Sequence, residues 1–237
     1  EFFLDTGNYA GLSKIYRTWS AHLNSGHSRI NPLTEKVLAG HSRQEFAMEV
    51  VEGLNIWGEE YAEVIRNYII LVGLPYTEPV VEQLGRAKQY KHRRYWMEIL
   101  EAIGADAHAL LLEALQDERW YLVRNLLIVL SKNPTPAIIR EILKLSSHQH
   151  PKVRHEAIKI LYQHNPTTAD RLLLKELASK HTEIRFNAVR IAALSRNNAV
   201  IDVLHGELQK PPGDNTTLKY QRQILVTLAQ IGNPTSI

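Results

Sequence analysis

An arginine that returns about every thirty residues constrains this chain more than any other feature. Arg94, Arg124 and Arg154 are each 30 apart, Arg185 follows after 31 and Arg222 after 37. The extra length before Arg222 falls in Lys210-Pro211-Pro212-Gly213-Asp214-Asn215, which reads as an inserted loop. Three residues after the arginine stand Met97, Leu127, Ala157, Ala188 and Leu225, and six after it Leu100, Leu130, Ile160, Ile191 and Leu228. Four after it, the last four copies carry Ile128, Ile158, Val189 and Val226, while the first carries Glu98. Apolar residues at offsets 3, 4 and 6 mark the buried stripe of a helix. Gly104, Gly232 and Pro134 read as the stops that follow. A shorter apolar pattern precedes each such helix, closing on Leu84, Leu115, Leu145, Leu177 and Leu208. The unit is helix, turn, helix, and no alternating strand pattern competes with it.

A lone helical hairpin cannot bury both of its apolar faces, whereas stacked copies cover one another. The expected fold is all-α, a right-handed superhelix of about five to six hairpins with a concave and a convex side. Residues 42–73 read as a degenerate hairpin. Phe46, Val50, Val51 and Leu54 line its first helix, and Tyr61, Val64, Ile65, Ile69 and Val72 its second, stopped by Gly73 and Pro75. Upstream, Leu12, Ile15, Trp19 and Leu23 share one face of a helix capped by Asn8. Residues 1–40 are therefore expected to form a helical cap and 41–237 the array. The chain opens on Glu1 and closes on Gly232-Asn233-Pro234-Thr235-Ser236-Ile237, which reads as a turn with its next helix missing, so a segment of a longer protein is expected.

Composition narrows the classes. The 237 residues contain no cysteine, which excludes a disulfide framework, a Cys-ligated zinc and a thiol nucleophile. With no basic-then-apolar leader visible, the expected location is the cytoplasm. No apolar run approaches the length of roughly 18 residues that a membrane span needs. The 28 basic and 25 acidic residues give a net charge of +3, too near neutral for the strongly basic face of an obligate nucleic-acid binder. The charge is uneven. From Arg43 to Glu82 eight acids meet two bases, and from Lys152 to Arg196 nine bases meet four acids, so the chain should be dipolar.

Around the periodic arginine, Asp117-Glu118-Arg119-Trp120-Tyr121-Leu122-Val123-Arg124, His150-Pro151-Lys152-Val153-Arg154-His155-Glu156-Ala157 and Thr182-Glu183-Ile184-Arg185-Phe186-Asn187-Ala188 resemble the second-helix motif of HEAT repeats, of the short bacterial type. That pattern is Asp, Pro, a Val-Arg pair, then Ala. The resemblance covers residues 76–232 well, 42–73 less so and 1–40 not at all. The family aspartate stands at Asp117 but not in the next two copies. The resemblance implies that second helices line the concave side, and that the arginine ties neighbouring repeats together.

On the side of the second helices opposite the apolar columns lie Tyr95, Asn125 and His155, then Lys159 and Arg190, then Lys132 and Tyr162. Four residues before the arginine lie Tyr90, Trp120, His150, His181 and Leu218, read chiefly as packing rings or alternatively as an aromatic platform. The expected binding residues are Tyr95, Trp120, Arg124, Asn125, His155, Lys159, Tyr162 and Arg190. No catalytic residue, metal site or cofactor is expected, since no Walker, zincin, dinucleotide or nucleophile-elbow motif occurs. His148, His150 and His155 read as a polar turn and a helix start rather than zinc ligands.

Two functions follow. The first is a non-enzymatic scaffold whose polar, basic groove takes a protein or peptide of acidic or mixed charge. The alternative is a nucleic-acid binder with the groove of HEAT-like DNA glycosylases, using Trp120 and Arg124 with Asp117 as the nearest acid. A phycobilin-lyase type of enzyme uses related repeats, but nothing here specifies a tetrapyrrole site. Fold likeness alone does not choose among them.

Overall fold

A computed structural model describes residues 2–24, 31–211 and 215–232. They are all-helical, and no β-strand occurs among them. The chain divides into two compact units, the first ending at Asn133 and the second starting at Pro134. The inserted loop expected near 210–215 and the turn after Gly232 fall partly or wholly outside the described residues.

The first unit runs through α1 (Phe2–Asp5), α2 (Tyr9–Asn24), α3 (Asn31–His41), α4 (Gln44–Trp57), α5 (Ala62–Val72), α6 (Thr77–Arg86), α7 (Tyr90–Ile103), α8 (His108–Ala114) and α9 (Trp120–Leu130). Asn8 caps α2 as expected, its Oδ1 accepting the Gly11 N–H at 2.8 Å. Gly73 and Gly104 end α5 and α7 with φ of +79° and +78°, a region that a side chain resists. The α2 helix packs on α3 and on α5, so α1–α3 belong to this unit's core. Its centre is partly polar. His41 Nδ1 is hydrogen bonded to the Tyr68 hydroxyl, and Tyr76 Oη donates to the His41 carbonyl at 3.2 Å. Burial lowers the His41 imidazole and raises both phenols.

The second unit comprises α10 (Pro136–Leu145), α11 (Pro151–His164), α12 (Pro166–Leu177), α13 (Thr182–Ala192), α14 (Asn198–Leu208) and α15 (Asn215–Gly232). Proline at the first turn of α10, α11 and α12 costs no hydrogen bond there and presets the backbone. Consecutive helices pack across short turns, α10 on α11, α11 on α12, α12 on α13 and α14 on α15.

The same positions are buried at a regular spacing. In the first helix of each hairpin Ala47, Val80, Leu111, Ile142, Leu173 and Leu204 are buried, and after the first step the spacing is constant. In the second helices the buried column is Ile65, Trp96, Leu126, Ala157 and Ala188, with Tyr68, Ile99, Val129, Ile160 and Ile191 three residues further on. Ala157 and Ala188 are fully buried, as expected.

The arginine alignment is corrected by one residue in the first two copies. Gln89, Arg119, His150 and His181 are the N-caps of α7, α9, α11 and α13. Counting four on from each cap gives Arg93, Val123, Arg154 and Arg185. Arg93 Nη1 donates to the carbonyls of Ala87 (3.3 Å) and Lys88 (2.5 Å), Arg154 Nη1 to those of His148 (3.0 Å) and Gln149 (3.1 Å), and Arg185 Nη1 to that of Ser179 (2.8 Å). Arg94 is instead exposed and paired with Glu98 on its own helix. The last copy also slips: Ile224 and Thr227 are buried in α15 while Leu225 and Val226 are exposed, so Gln221 rather than Arg222 holds the arginine position. Val64, expected to line the core, is exposed as well. A slip of one goes unnoticed in the sequence because offsets 3 and 4, and 6 and 7, are apolar together.

At Gly53 the Tyr9 side chain, from the start of α2, lies against the α4 backbone. A Cβ there would stand 1.9 Å from Tyr9 Oη and 2.9 Å from its Cζ. Gly53→Ala gains helix propensity of about 1 kcal/mol. It must then displace a buried tyrosine, and overpacking of this kind costs about 1–3 kcal/mol. Thermal unfolding should show net destabilisation by Gly53→Ala, with a smaller loss in a Tyr9→Phe background where the hydroxyl is gone. Equal losses in both backgrounds would place the clash elsewhere.

Candidate functional site

The turns that enter α9, α11 and α13 are built one way with different side chains. Asp117 Oδ1 accepts the Arg119 N–H at 2.7 Å, His148 Nδ1 accepts the His150 N–H at 3.0 Å, and Ser179 Oγ accepts the His181 N–H at 3.2 Å. The three acceptors are evenly spaced along the chain, one per hairpin. The position filled by aspartate in the first of them thus keeps its role in the next two through an imidazole and a hydroxyl. His148 and His150 are absorbed in these turns, and no group of three or more metal-ligating side chains occurs among the described residues.

Where α9 has Val123 in place of the arginine, Arg119 takes over. Its guanidinium binds both carboxylate oxygens of Asp117, at 2.9 and 2.8 Å, and reaches Glu82 on α6 at 3.1 Å. It lies over Gly85, where a Cβ would stand 2.6 Å from Arg119 Nη1. The hydrogen bonds from Arg119 hold the Asp117 carboxyl below its ordinary range. Asp117 is therefore a turn-forming group fully engaged with Arg119.

In the second unit Arg154 also binds Glu176 on α12, with Nε at 2.8 Å and Nη2 at 3.1 Å, and His155 Nε2 lies 2.9 Å from the same carboxylate. Burial alone would raise the Glu176 carboxyl. The hydrogen bonds from His155 and Arg154, with the charge of Arg154, outweigh it and bring the carboxyl down to about 2. Glu176 stands beside Leu173 and Leu177 on the apolar stripe of α12. A charge in that place demands a buried partner, and this is the signal by which the sequence could have disclosed it. Beside it, Tyr162 Oη donates to Asp170 Oδ1 at 2.8 Å and Ser195 Oγ to the same oxygen at 2.6 Å.

The eight expected binding residues do not form one open face. Asn125 and His155 are buried, His155 against Glu176. Tyr95 is half-buried and its hydroxyl donates to the Ala62 carbonyl at 2.7 Å, with burial raising the phenol. Trp120 and Arg124 are half-buried too, and Trp120 stands edge-on to Tyr121. Tyr162 presents a half-buried ring. Lys159 and Arg190 are exposed at the same position of α11 and α13, each nine residues after its helix cap. Lys159 pairs with Glu156 at 2.9 Å, while Arg190 has no ion pair among the described residues. Tyr95 and Asn125 are drawn inward because the one-residue slip puts them in the column of the buried Glu156, whereas His155, in a copy without the slip, is drawn in by Glu176. Of the expected aromatic column, Tyr90 and Trp120 begin their helices while His150 and His181 are caps, so the four are not equivalent.

Compared with protein-family models and with curated proteins, the chain matches none.

The depressed Glu176 carboxyl carries a pH dependence. Its folded value lies below the unfolded one, so its stabilisation is present above about pH 4.5 and lost as the pH falls toward 2. That share is on the order of 2 kcal/mol. Urea unfolding at pH 7 and pH 3 should show Glu176→Gln less stable at neutrality, since Arg154 loses its buried counter-charge, but with a smaller loss on acidification than wild type. Parallel losses in the two proteins would show that this carboxylate is not what acid titrates.

Proposed function

We propose that this chain is a HEAT-like helical-repeat scaffold, a right-handed α-solenoid in the cytoplasm, that binds a protein segment of acidic or mixed charge and performs no catalysis of its own. The observation that carries the reading is the pair Lys159 and Arg190, exposed at one position of successive second helices. Support for the repeat comes from the regularly spaced buried columns and from the recurring turn that sets α9, α11 and α13. Support for a protein partner comes from the chemistry of the surface: cations on a stepped row with half-buried rings beside them suit reversible recognition of an extended acidic chain. The glycosylase-like alternative loses its acid, because both oxygens of Asp117 are held by Arg119.

A fluorescent glutamate-rich peptide and a duplex DNA of matched length provide the test, read by anisotropy across a salt series. Peptide binding should weaken about ten-fold in Lys159→Glu/Arg190→Glu, with unchanged far-UV dichroism and a moderate salt slope. DNA should bind more weakly, with the steep slope of counterion release. Tight duplex binding that the double reversal abolishes would replace this reading with the nucleic-acid one.

A further inference from the structure

We propose that this protein associates with itself, the acidic first-helix ridge of one copy docking on the basic first-helix ridge of another. The ridges arise at two positions that flank the buried column of the first helices. Two residues before that column stand Glu45, Glu78, Ala109, Arg140, Arg171 and, on α14, Asp202. Two residues after it stand Glu49, Glu82, Glu113, Lys144, Lys175 and Gly206, so the cationic ridge ends at α12. Residues two before and two after a buried position lie four apart on the opposite side of an α-helix, one above the other. The glutamates of these rows belong to the first unit, on α4, α6 and α8, and the cations to the second, on α10 and α12, while α14 carries the single acid Asp202.

These side chains are exposed, except Glu82, which is half-buried. Glu82 is held by Arg86 and Arg119, and Lys144 by Glu141 at 2.6 Å. Glu45, Glu49, Glu78 and Glu113, like Arg140, Arg171 and Lys175, form no ion pair among the described residues. Each ridge therefore concentrates like charge. Glu45 and Glu49 repel at i,i+4, as do Arg171 and Lys175. In the first unit α4 packs on α6 and α6 on α8, which brings the acidic rows of neighbouring helices to roughly 8–10 Å, about a Debye length in physiological salt. An occupant of opposite sign relieves that repulsion. The basic ridge asks for carboxylates in i,i+4 pairs repeated on neighbouring helices. The acidic ridge has that pattern on α4 and α6, with Glu113 extending it to α8, so a second copy of the chain supplies the partner. This contact uses first helices, whereas Lys159 and Arg190 lie on second helices, so the two surfaces are separable.

Sedimentation velocity over a concentration series provides the test. Wild type should associate reversibly at low ionic strength and dissociate as salt is added. Reversing one ridge, by Arg140→Glu/Arg171→Glu/Lys175→Glu or by Glu45→Lys/Glu49→Lys/Glu78→Lys, should weaken association at least about ten-fold. An equimolar mixture of the two variants should regain it, since each supplies the charge that the other now lacks. The single neutral changes Glu78→Gln and Lys175→Gln should each weaken association a few-fold, while Lys159→Glu/Arg190→Glu should associate as wild type does. A wild-type protein that stays monomeric at low salt, or association indifferent to Glu78→Gln and Lys175→Gln, overturns the proposal. So does association abolished by Lys159→Glu/Arg190→Glu, whereas loss of peptide binding in that variant bears only on the scaffold reading.

Discussion

The second helices α7, α9, α11 and α13 are set in place by the turns that precede them, and the packing around them depends on that setting. In α11 and α13 a side chain two residues before the cap takes the cap's N–H, and an arginine four residues after the cap donates back to the carbonyls of the same turn; α7 keeps only the arginine and α9 only the side-chain acceptor. The backbone groups of a helix entrance would otherwise lack partners. Once the entrance is fixed, the buried residues at 3, 4, 6 and 7 beyond the arginine position follow from helical geometry alone. In α11 the arginine does more, because its remaining nitrogens bind Glu176 on the next helix and join one hairpin to its successor. In α9 the role passes to Arg119, which binds its own turn and reaches back to Glu82. One requirement is met by different residues in different copies.

That substitution of means explains what the sequence disclosed and what it concealed. The period was legible because each copy must present an apolar stripe at the same place, and Ala157 and Ala188 are buried where that stripe predicts. Asn8 was legible as a cap because capping is local. The one-residue slips at Arg93 and Val123 were not, since each stands beside the arginine that kept the apparent spacing regular. The burial of His155 was hidden because its partner Glu176 lies 21 residues away, and only packing brings them together. The aspartate of the repeat motif looked lost after Asp117, although His148 and Ser179 do its work.

Charge follows the hairpins too. The dipolar distribution visible in the composition resolves into ridges, with glutamates and then cations at the same two flanking positions of successive first helices. The exposed position shared by Lys159 and Arg190 on the second helices is occupied by Glu98 in α7, so the sign differs between the units on both sets of helices. Stability alone gives no reason to group like charges in this way, since each ridge is locally repulsive.

The central claim, that the entrance turn sets the alignment of the second helices α7, α9, α11 and α13, is tested most directly by thermal unfolding of Arg93→Ala beside Arg94→Ala. These are neighbouring arginines of which only the first is bound to the turn. Loss of two hydrogen bonds from a guanidinium to carbonyls should cost Arg93→Ala about 1–3 kcal/mol, while Arg94→Ala should melt like wild type. A larger loss in Arg94→Ala, or equal melting of the two variants, would contradict the alignment and the account built on it.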